Sequence, residues 1–273
     1  MSAFEIVIRP RTGWQAVDWD ELWRYRELFG FLIWRDIKIR YKQTLLGSLW
    51  ALLQPLTGML IFGLVFSRVV DVHSDGPPYL LFVFTGLVPW MFFQNAVALS
   101  SNSLVGSEQM IRKIYFPRLM IPLAAICALG IDMIVSLVFL VVLMVWYQWP
   151  VSASLFWLPA FMLSSIFAAG GLGLFLSTLN VRYRDIKYVV PFFTQMVFFL
   201  TPVLYPMRRV PAAMKPLLTL NPMAGIVEGF RHAILGSSMS WTVAGPAMAI
   251  SVLLFVTGLL FFRRMERSFA DVI

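Results

Sequence analysis

The chain has 273 residues, of which 59% are hydrophobic and only 13% carry charge, and its mean hydropathy is +0.78. Soluble domains carry about 25% charged residues, so this composition excludes a soluble globular domain and indicates an integral membrane protein. The net charge of +8 then favours chain orientation and contact with anionic lipid headgroups over binding to nucleic acid. The single cysteine, Cys127, and the distant His73 and His232 exclude an internal disulfide and argue against a metal site.

Residues 1–45 are predicted to form a cytoplasmic N-terminal region with an interface helix from Asp20 to Lys42. On a helical wheel the basic side chains share one side, and apolar side chains fall mainly on the other: Arg24, Arg35, Lys38 and Lys42 against Trp23, Phe29, Ile33, Ile37 and Tyr41. An amphipathic helix of this kind lies along the membrane with its apolar face in the headgroup region. A disordered basic arm is the alternative.

Charge-free runs of about 20 apolar residues, the length that a spanning helix needs, predict a single transmembrane domain over residues 46–262. The six predicted spans are 46–67, 79–103, 119–147, 153–179, 188–206 and 241–262, followed by a cytoplasmic tail at 263–273. With the N-terminus in the cytoplasm, seventeen Lys and Arg residues lie on the cytoplasmic side and five on the other. Because basic residues concentrate in cytoplasmic loops, both termini are predicted to be cytoplasmic.

Asp132 is the only carboxylate inside a clear span. A charge at the centre of a membrane helix is costly, so this group must be protonated, paired or in contact with water. A proton or ion relay is one interpretation. A structural hydrogen bond, or a position near one interface, is favoured because no other span offers a partner.

Between the fifth and sixth spans, residues 207–238 are too charged and proline-rich to cross the membrane. Asn221 is a predicted N-cap, Pro222 suits the first helical position, and Gly236 can end the helix. A helix of this length reaches only about 22 Å, so we expect re-entrant or interfacial gate helices on the outer side. The candidate gate residues are Asn221, Glu228 and Arg231, the last two close enough to form a salt bridge. An outer loop folded over the bundle is the alternative.

Aromatic rings mixed with amides in several spans fit a wall along which a sugar chain could move. The candidate pathway residues are Phe62, Trp90, Phe93, Gln94, Phe192, Phe193, Phe198 and Phe199. Contact with lipid or packing in the core explains the same residues equally well.

The sequence has no GxxxxGK[ST] motif, and the dipeptide Gly-Lys does not occur in it. The chain therefore has no phosphate-binding loop of its own. It is predicted to be a transporter subunit rather than an enzyme, to bind no cofactor, and to depend on a separate ATPase.

Several long segments resemble the membrane subunit of ABC-2 type polysaccharide exporters, which export O-antigen, teichoic acid and related lipid-linked glycans. They are "RDIKIRYKQTLLGSLWALLQPL", "IRKIYFPRLMIPLA", "LNVRYRDIKYVVPFFTQMVFFLTPVLYP", "LNPMAGIVEGFRHAILG" and "ERSFADVI". The resemblance runs from about residue 20 to the end. It implies a homodimer in a bacterial cytoplasmic (inner) membrane, with two copies of an ABC ATPase that bind ATP and Mg²⁺.

The resemblance also implies roles for particular residues. The interface helix and two cytoplasmic loops would dock on the ATPase, through Arg35, Asp36, Lys38, Glu108, Gln109, Arg112, Lys113, Arg182, Tyr183, Arg184 and Asp185. The dimer would enclose a channel lined by aromatic rings of the first, second and fifth spans. Two other functions remain open: an ABC-2 permease that exports a small drug or lipid, and a membrane scaffold without transport activity.

Overall fold

A computed structural model describes residues 19–42, 49–68 and 76–266, and in these ranges the chain is helical, without a strand. The helices are α1 (Trp19–Arg24), α2 (Arg26–Tyr41), α3 (Leu49–Arg68), α4 (Tyr79–Gly106), α5 (Glu108–Lys113), α6 (Met120–Trp146), α7 (Leu158–Arg182), α8 (Ile186–Leu200), α9 (Lys215–Leu220), α10 (Pro222–Leu235) and α11 (Trp241–Glu266). Residues 1–18, the start of the first predicted span at 46–48 and most of the predicted tail lie outside the described residues.

Four helices of the described ranges are long and apolar enough to cross a membrane: α4, α6, α7 with the 3-10 turn Ala153–Trp157 before it, and α11. They correspond to the predicted second, third, fourth and sixth spans. The helix α8 is a shorter apolar segment, and so is Leu52–Val65, the part of α3 in which successive side chains are described. Six spans therefore stay a prediction.

The helix α8 ends at Leu200, six residues before the predicted end of the fifth span. Thr201, which precedes Pro202, has extended backbone angles (φ −95°, ψ 134°). A proline ring clashes with a helical residue before it, so the chain leaves the helix here and continues as irregular backbone through Tyr205.

The helix α4 lies at the centre of the bundle and is buried along most of its length. It packs against α3, α6, α7, α8 and α10. A helix that is apolar on all sides belongs in the interior, and α4 has neither an acidic nor a basic residue.

The helices α7 and α11 pack most closely at Gly171 and Gly258. A methyl group added to either residue would overlap the backbone of the facing helix, at Leu254 for Gly171 and at Gly171 for Gly258. Small residues that allow two backbones to approach are the usual basis of helix packing in membranes.

Where the interface helix is predicted, the chain forms the helices α1 and α2, separated at Tyr25, with Gly30 inside α2; a position along the membrane surface stays a prediction. The helix packs along α6, with Leu32 fully buried and Phe31 and Trp34 exposed. The predicted apolar side is only partly retained, because Phe29 is partly buried whereas Trp23 is exposed. The exposed rings are available to contact lipid.

Candidate functional site

One apolar cluster joins α2, α4, α6, α7 and α11 where α4 and α7 end and α6 begins. It includes Leu32, Leu104, Phe116, Leu119, Met120, Val181 and Phe262. The cluster marks one end of the helix bundle. We call this end the basic end, and define it as residues 108–118, 181–187 and 263–266. All three segments predicted to contact an ATPase lie at or beside this end of the bundle.

The helix α5 contacts α2 at the basic end. The guanidinium Nη1 of Arg35 lies 3.8 Å from Sδ of Met110, and its Nη2 is paired with Asp36 at 2.8 Å. Within α5, Arg112 forms an exposed ion pair with Glu108 at 2.8 Å. The first two predicted docking segments therefore lie next to each other at this position.

The third predicted docking segment, Arg182–Asp185, is exposed. It is positioned by Asn180, whose amide donates to the carbonyl of Ser101 at 2.9 Å and to Asn102 Oδ1 at 3.1 Å. These bonds connect the end of α7 to α4, so the segment is held on the same end of the bundle as α5.

Within the basic end, Arg118 in the loop after α5 is linked to Glu266 at the end of α11, a contact that the sequence does not indicate. Glu266 accepts from the backbone N–H of Arg118 at 3.2 Å and pairs with Arg263 at 2.9 Å, and its carbonyl accepts from the Arg118 guanidinium at 2.8 Å. Beside this link lies a cavity of about 190 Å³ lined by residues 111–116 and Arg118. The partners are 148 positions apart in sequence, so no local pattern indicates them.

Five of the candidate pathway rings form one aromatic cluster across α3, α4 and α8, in which Phe199 contacts Phe198 with ring centres 5.5 Å apart. The ring of Phe198 lies 5.8 Å from Phe62 and 5.4 Å from Trp90, and Trp90 lies 5.7 Å from Phe93. The indole N–H of Trp90 donates to Gln94 at 2.9 Å, which satisfies a polar group in an apolar setting.

Burial divides the candidate pathway residues into two groups. Trp90 and Phe93 are 1% and 4% exposed, so within one chain they belong to the core. Phe192 and Phe199 are 66% and 65% exposed, and Phe193 is exposed as well. The pathway assignment stays a prediction. The exposed rings of α8 fit it better than the buried rings of α4.

The predicted gate segment contains α10 at the end of the bundle opposite to the basic end. Asn221 caps it by accepting from Met223 N at 3.0 Å, and Gly236 ends it in the left-handed conformation (φ 68°). These local predictions are confirmed. Ser154 Oγ donates to the carbonyl of His232 at 2.8 Å, so α10 is attached to the turn between α6 and α7.

Arg231 on α10 binds the irregular backbone after α8. Its guanidinium donates to the carbonyls of Pro202 at 2.6 Å and of Val203, and more distantly to that of Tyr205 at 3.5 Å. Its charge also lies 3.6 Å from the centre of the Phe82 ring. The side chain is only 2% exposed. Buried carbonyls require hydrogen-bond donors. Arg231 supplies them and so stabilises the non-helical backbone at residues 202–205.

Two further donors bind the same segment. Tyr79 OH donates to the carbonyl of Leu204 at 2.7 Å, and the Asn221 amide donates to Thr201 Oγ1 at 2.9 Å. We call residues 201–205 the carbonyl segment. Hydrogen bonds hold it from three positions: Tyr79 of α4, Asn221 at the N-cap of α10, and Arg231 within α10.

The expected salt bridge between Glu228 and Arg231 is not formed. The guanidinium is directed to the carbonyl segment instead, and within the described residues Glu228 has no hydrogen bond or ion pair. Burial raises the pKa of Glu228, with an opposing effect from Arg231. Burial lowers the pKa of Arg231 to about 10, opposed mainly by Glu228, so the guanidinium stays charged at neutral pH.

Asp132 has partners, and they come from α2 rather than from another span. Its Oδ2 pairs with Arg40 Nη2 at 2.8 Å, and its Oδ1 accepts from Tyr41 OH. The favoured interpretation of a structural hydrogen bond fits this arrangement. No predicted span contains this partner, because it lies on α2, which extends along α6 as far as Asp132.

Comparison with known proteins gives a consistent result. A model of the ABC-2 type transporter family matches residues 27–235. The O-antigen export system permease protein RfbA of Myxococcus xanthus is 30% identical over 93% of this chain and 98% of its own length. RfbA of Klebsiella pneumoniae is 29% identical over 88% of this chain and 92% of its own length. The polysialic acid transport protein KpsM of Escherichia coli is 25% identical, with 87% and 93% covered.

Proposed function

Because the chain belongs to the ABC-2 type transporter family, we propose that it is the membrane permease subunit of a bacterial polysaccharide exporter. The main support is similarity over almost the whole chain to permeases named for O-antigen export. The match with KpsM widens the substrate class to polysaccharides in general. The proposed substrate is a lipid-linked polysaccharide of the O-antigen or teichoic acid kind.

The proposed assembly is a homodimer with two copies of a separate ABC ATPase, which bind ATP and Mg²⁺. The surface shared by α2 and α5, with the exposed segment 182–185, supports docking of the ATPase at the basic end. Asp36, Lys38, Gln109 and Arg184 belong to the same proposed surface. Its geometry is supported by the Arg35–Met110 contact and the bonds of Asn180.

The proposed topology has six spans with both termini in the cytoplasm, in the bacterial cytoplasmic membrane. The excess of basic residues supports a cytoplasmic basic end. In this orientation α9 and α10 lie on the outer side, where Asn221, Glu228 and Arg231 form the proposed outer gate. The exposed rings of α8 would line the path of the glycan in the dimer.

The experiment is done in cells that lack this chain. We expect undecaprenyl-linked polymer to accumulate at the inner face, and accumulation to be reversed by the wild type but not by Arg112→Glu with Lys113→Glu. The matched control is Arg208→Glu with Arg209→Glu, which reverses two exposed charges at the opposite end and should restore export.

Three other outcomes would contradict the proposal in different ways. Unchanged surface glycan without accumulation favours a permease for a small drug or lipid. Polymer that reaches the outer face but is not assembled there favours a scaffold. Full export by the Arg112 and Lys113 variant contradicts the proposed docking surface but not the proposed permease function.

A further inference from the structure

We propose that the ion pair between Arg40 and Asp132 is the connection through which movement of α2 is transmitted to the membrane-spanning helix α6. The inference rests on the proposed function, because it requires an ATPase that acts on α2 and a substrate that is exported. It assigns Arg40, Tyr41 and Asp132 as positioning residues, which act through the helices and do not contact the substrate.

The first observation is that α2 is attached to the bundle at two levels. Near the basic end, Leu32 is buried in the cluster with Leu119 and Met120. At its other end, Arg40 and Tyr41 reach Asp132. Asp132 lies twelve residues after the start of α6, which corresponds to about 18 Å along the helix. The helix α2 therefore extends from the proposed ATPase surface to the interior of the transmembrane bundle.

The second observation is the burial of the pair. The side chains of Arg40 and Asp132 are 34% and 12% exposed. A carboxylate at this level of a membrane helix is strongly unfavourable without a partner, so removing the partly exposed Arg40 leaves the buried Asp132 carboxylate uncompensated. Separating α2 from α6 at this position therefore costs free energy, because it breaks the ion pair. We expect a displacement of α2 to move α6 with it.

The third observation is a small cavity beside Asp132, with a mainly apolar wall that contains a few polar groups. It has a volume of about 20 Å³, which is sufficient for one water molecule. Its lining includes Gln54 of α3, Asn95 of α4 and Ser136 of α6. These groups give the carboxylate other polar neighbours when the pair shifts. Through Gln54 and Asn95, the helices α3 and α4 also line this cavity. These two helices carry Phe62 and Trp90 of the aromatic cluster.

A purely structural anchor and a transmitting connection differ in what is lost when the pair is broken. An anchor reduces the amount of folded, assembled complex. A transmitting connection leaves assembly and ATP hydrolysis in place but reduces the export obtained from each ATP hydrolysed. The test therefore measures these quantities separately, in membranes that contain the full-length chain with its ATPase.

The variants are Arg40→Gln, Asp132→Asn and the exchanged pair Arg40→Asp with Asp132→Arg. For the single variants we expect co-purified ATPase and ATP hydrolysis close to wild type, with export per ATP reduced about tenfold or more, a usual size for coupling between sites. The exchanged pair should recover part of this loss. Ser164→Ala on α7 is the matched control, because it removes a buried hydroxyl that donates to the carbonyl four residues earlier on its own helix but touches neither the ion pair nor the cavity, and its export per ATP should stay at the wild-type level.

Two results would overturn the inference. A loss of export that is proportional to the loss of assembled complex assigns the pair a structural role only. Unchanged export per ATP in both single variants removes any role in transmission. Failure of the proposed function is recognised separately, because the wild-type complex itself would then show no ATP-dependent movement of polymer.

Discussion

Replacement of Arg231 tests whether the carbonyl segment depends on one guanidinium. In Arg231→Met the buried carbonyls of Pro202 and Val203 lose their donor. Hydrogen bonds to a charged group contribute about 1.5–3 kcal/mol each, which gives about 3–6 kcal/mol for two. Removal of a fully buried charge offsets part of this loss, so we expect the free energy of unfolding to fall by about 2–4 kcal/mol.

The assay is thermal unfolding of the purified chain in detergent, followed by intrinsic fluorescence. A change of 1 kcal/mol shifts the Tm of a chain of this size class by about 2–4 °C, so we expect Arg231→Met to melt about 4–16 °C below wild type. Arg231→Lys keeps the charge but not the planar fork that reaches two carbonyls, and should give an intermediate value. Arg209→Met, at an exposed position of the same end, is the control. A Tm of Arg231→Met equal to that of the control would refute the reasoning.

The remaining predictions concern α10 and α11. Gly258→Ala places a methyl group against the Gly171 carbonyl, so we expect a loss of about 1–3 kcal/mol by thermal unfolding. Gly245→Ala on the same helix, where an added methyl group has open space, should be neutral or stabilising; equal losses would contradict the close approach. The pKa of Glu228 is raised in the folded state, so stability should fall as pH rises from the unfolded-state pKa through the folded-state pKa. In Glu228→Gln this dependence should disappear, and a pH profile identical to wild type would contradict it.

Local signals in the sequence were sufficient for the boundaries of α10. Capping and backbone conformation determine where a helix begins and ends, and they depend on residues within one turn of that point. In α10 these residues are Asn221, Pro222 and Gly236. The long apolar runs likewise located α4, α6, α7 and α11, because hydrophobic length is the dominant requirement for a spanning helix.

Partners distant in sequence could not be found in the same way. Arg231 and Glu228 are three residues apart on one helix, and that spacing suggested a pair, but the carbonyls of 202–203 compete more successfully for the guanidinium. For Asp132 the acceptor was evident and the donor was not, since Arg40 lies outside the predicted spans, in the helix predicted to lie along the membrane. A ring such as Trp90 gives no sequence signal that separates core from pathway, because both environments select large aromatic side chains.

The order of the chain has a consequence for biosynthesis. The acceptors of Arg231, in the carbonyl segment, and the ring of Phe82 precede it in sequence. A ribosome therefore delivers α4 and residues 201–205 to the membrane before the arginine emerges. The buried cation is thus synthesised after its binding site, so α10 can be recruited by a partly assembled bundle.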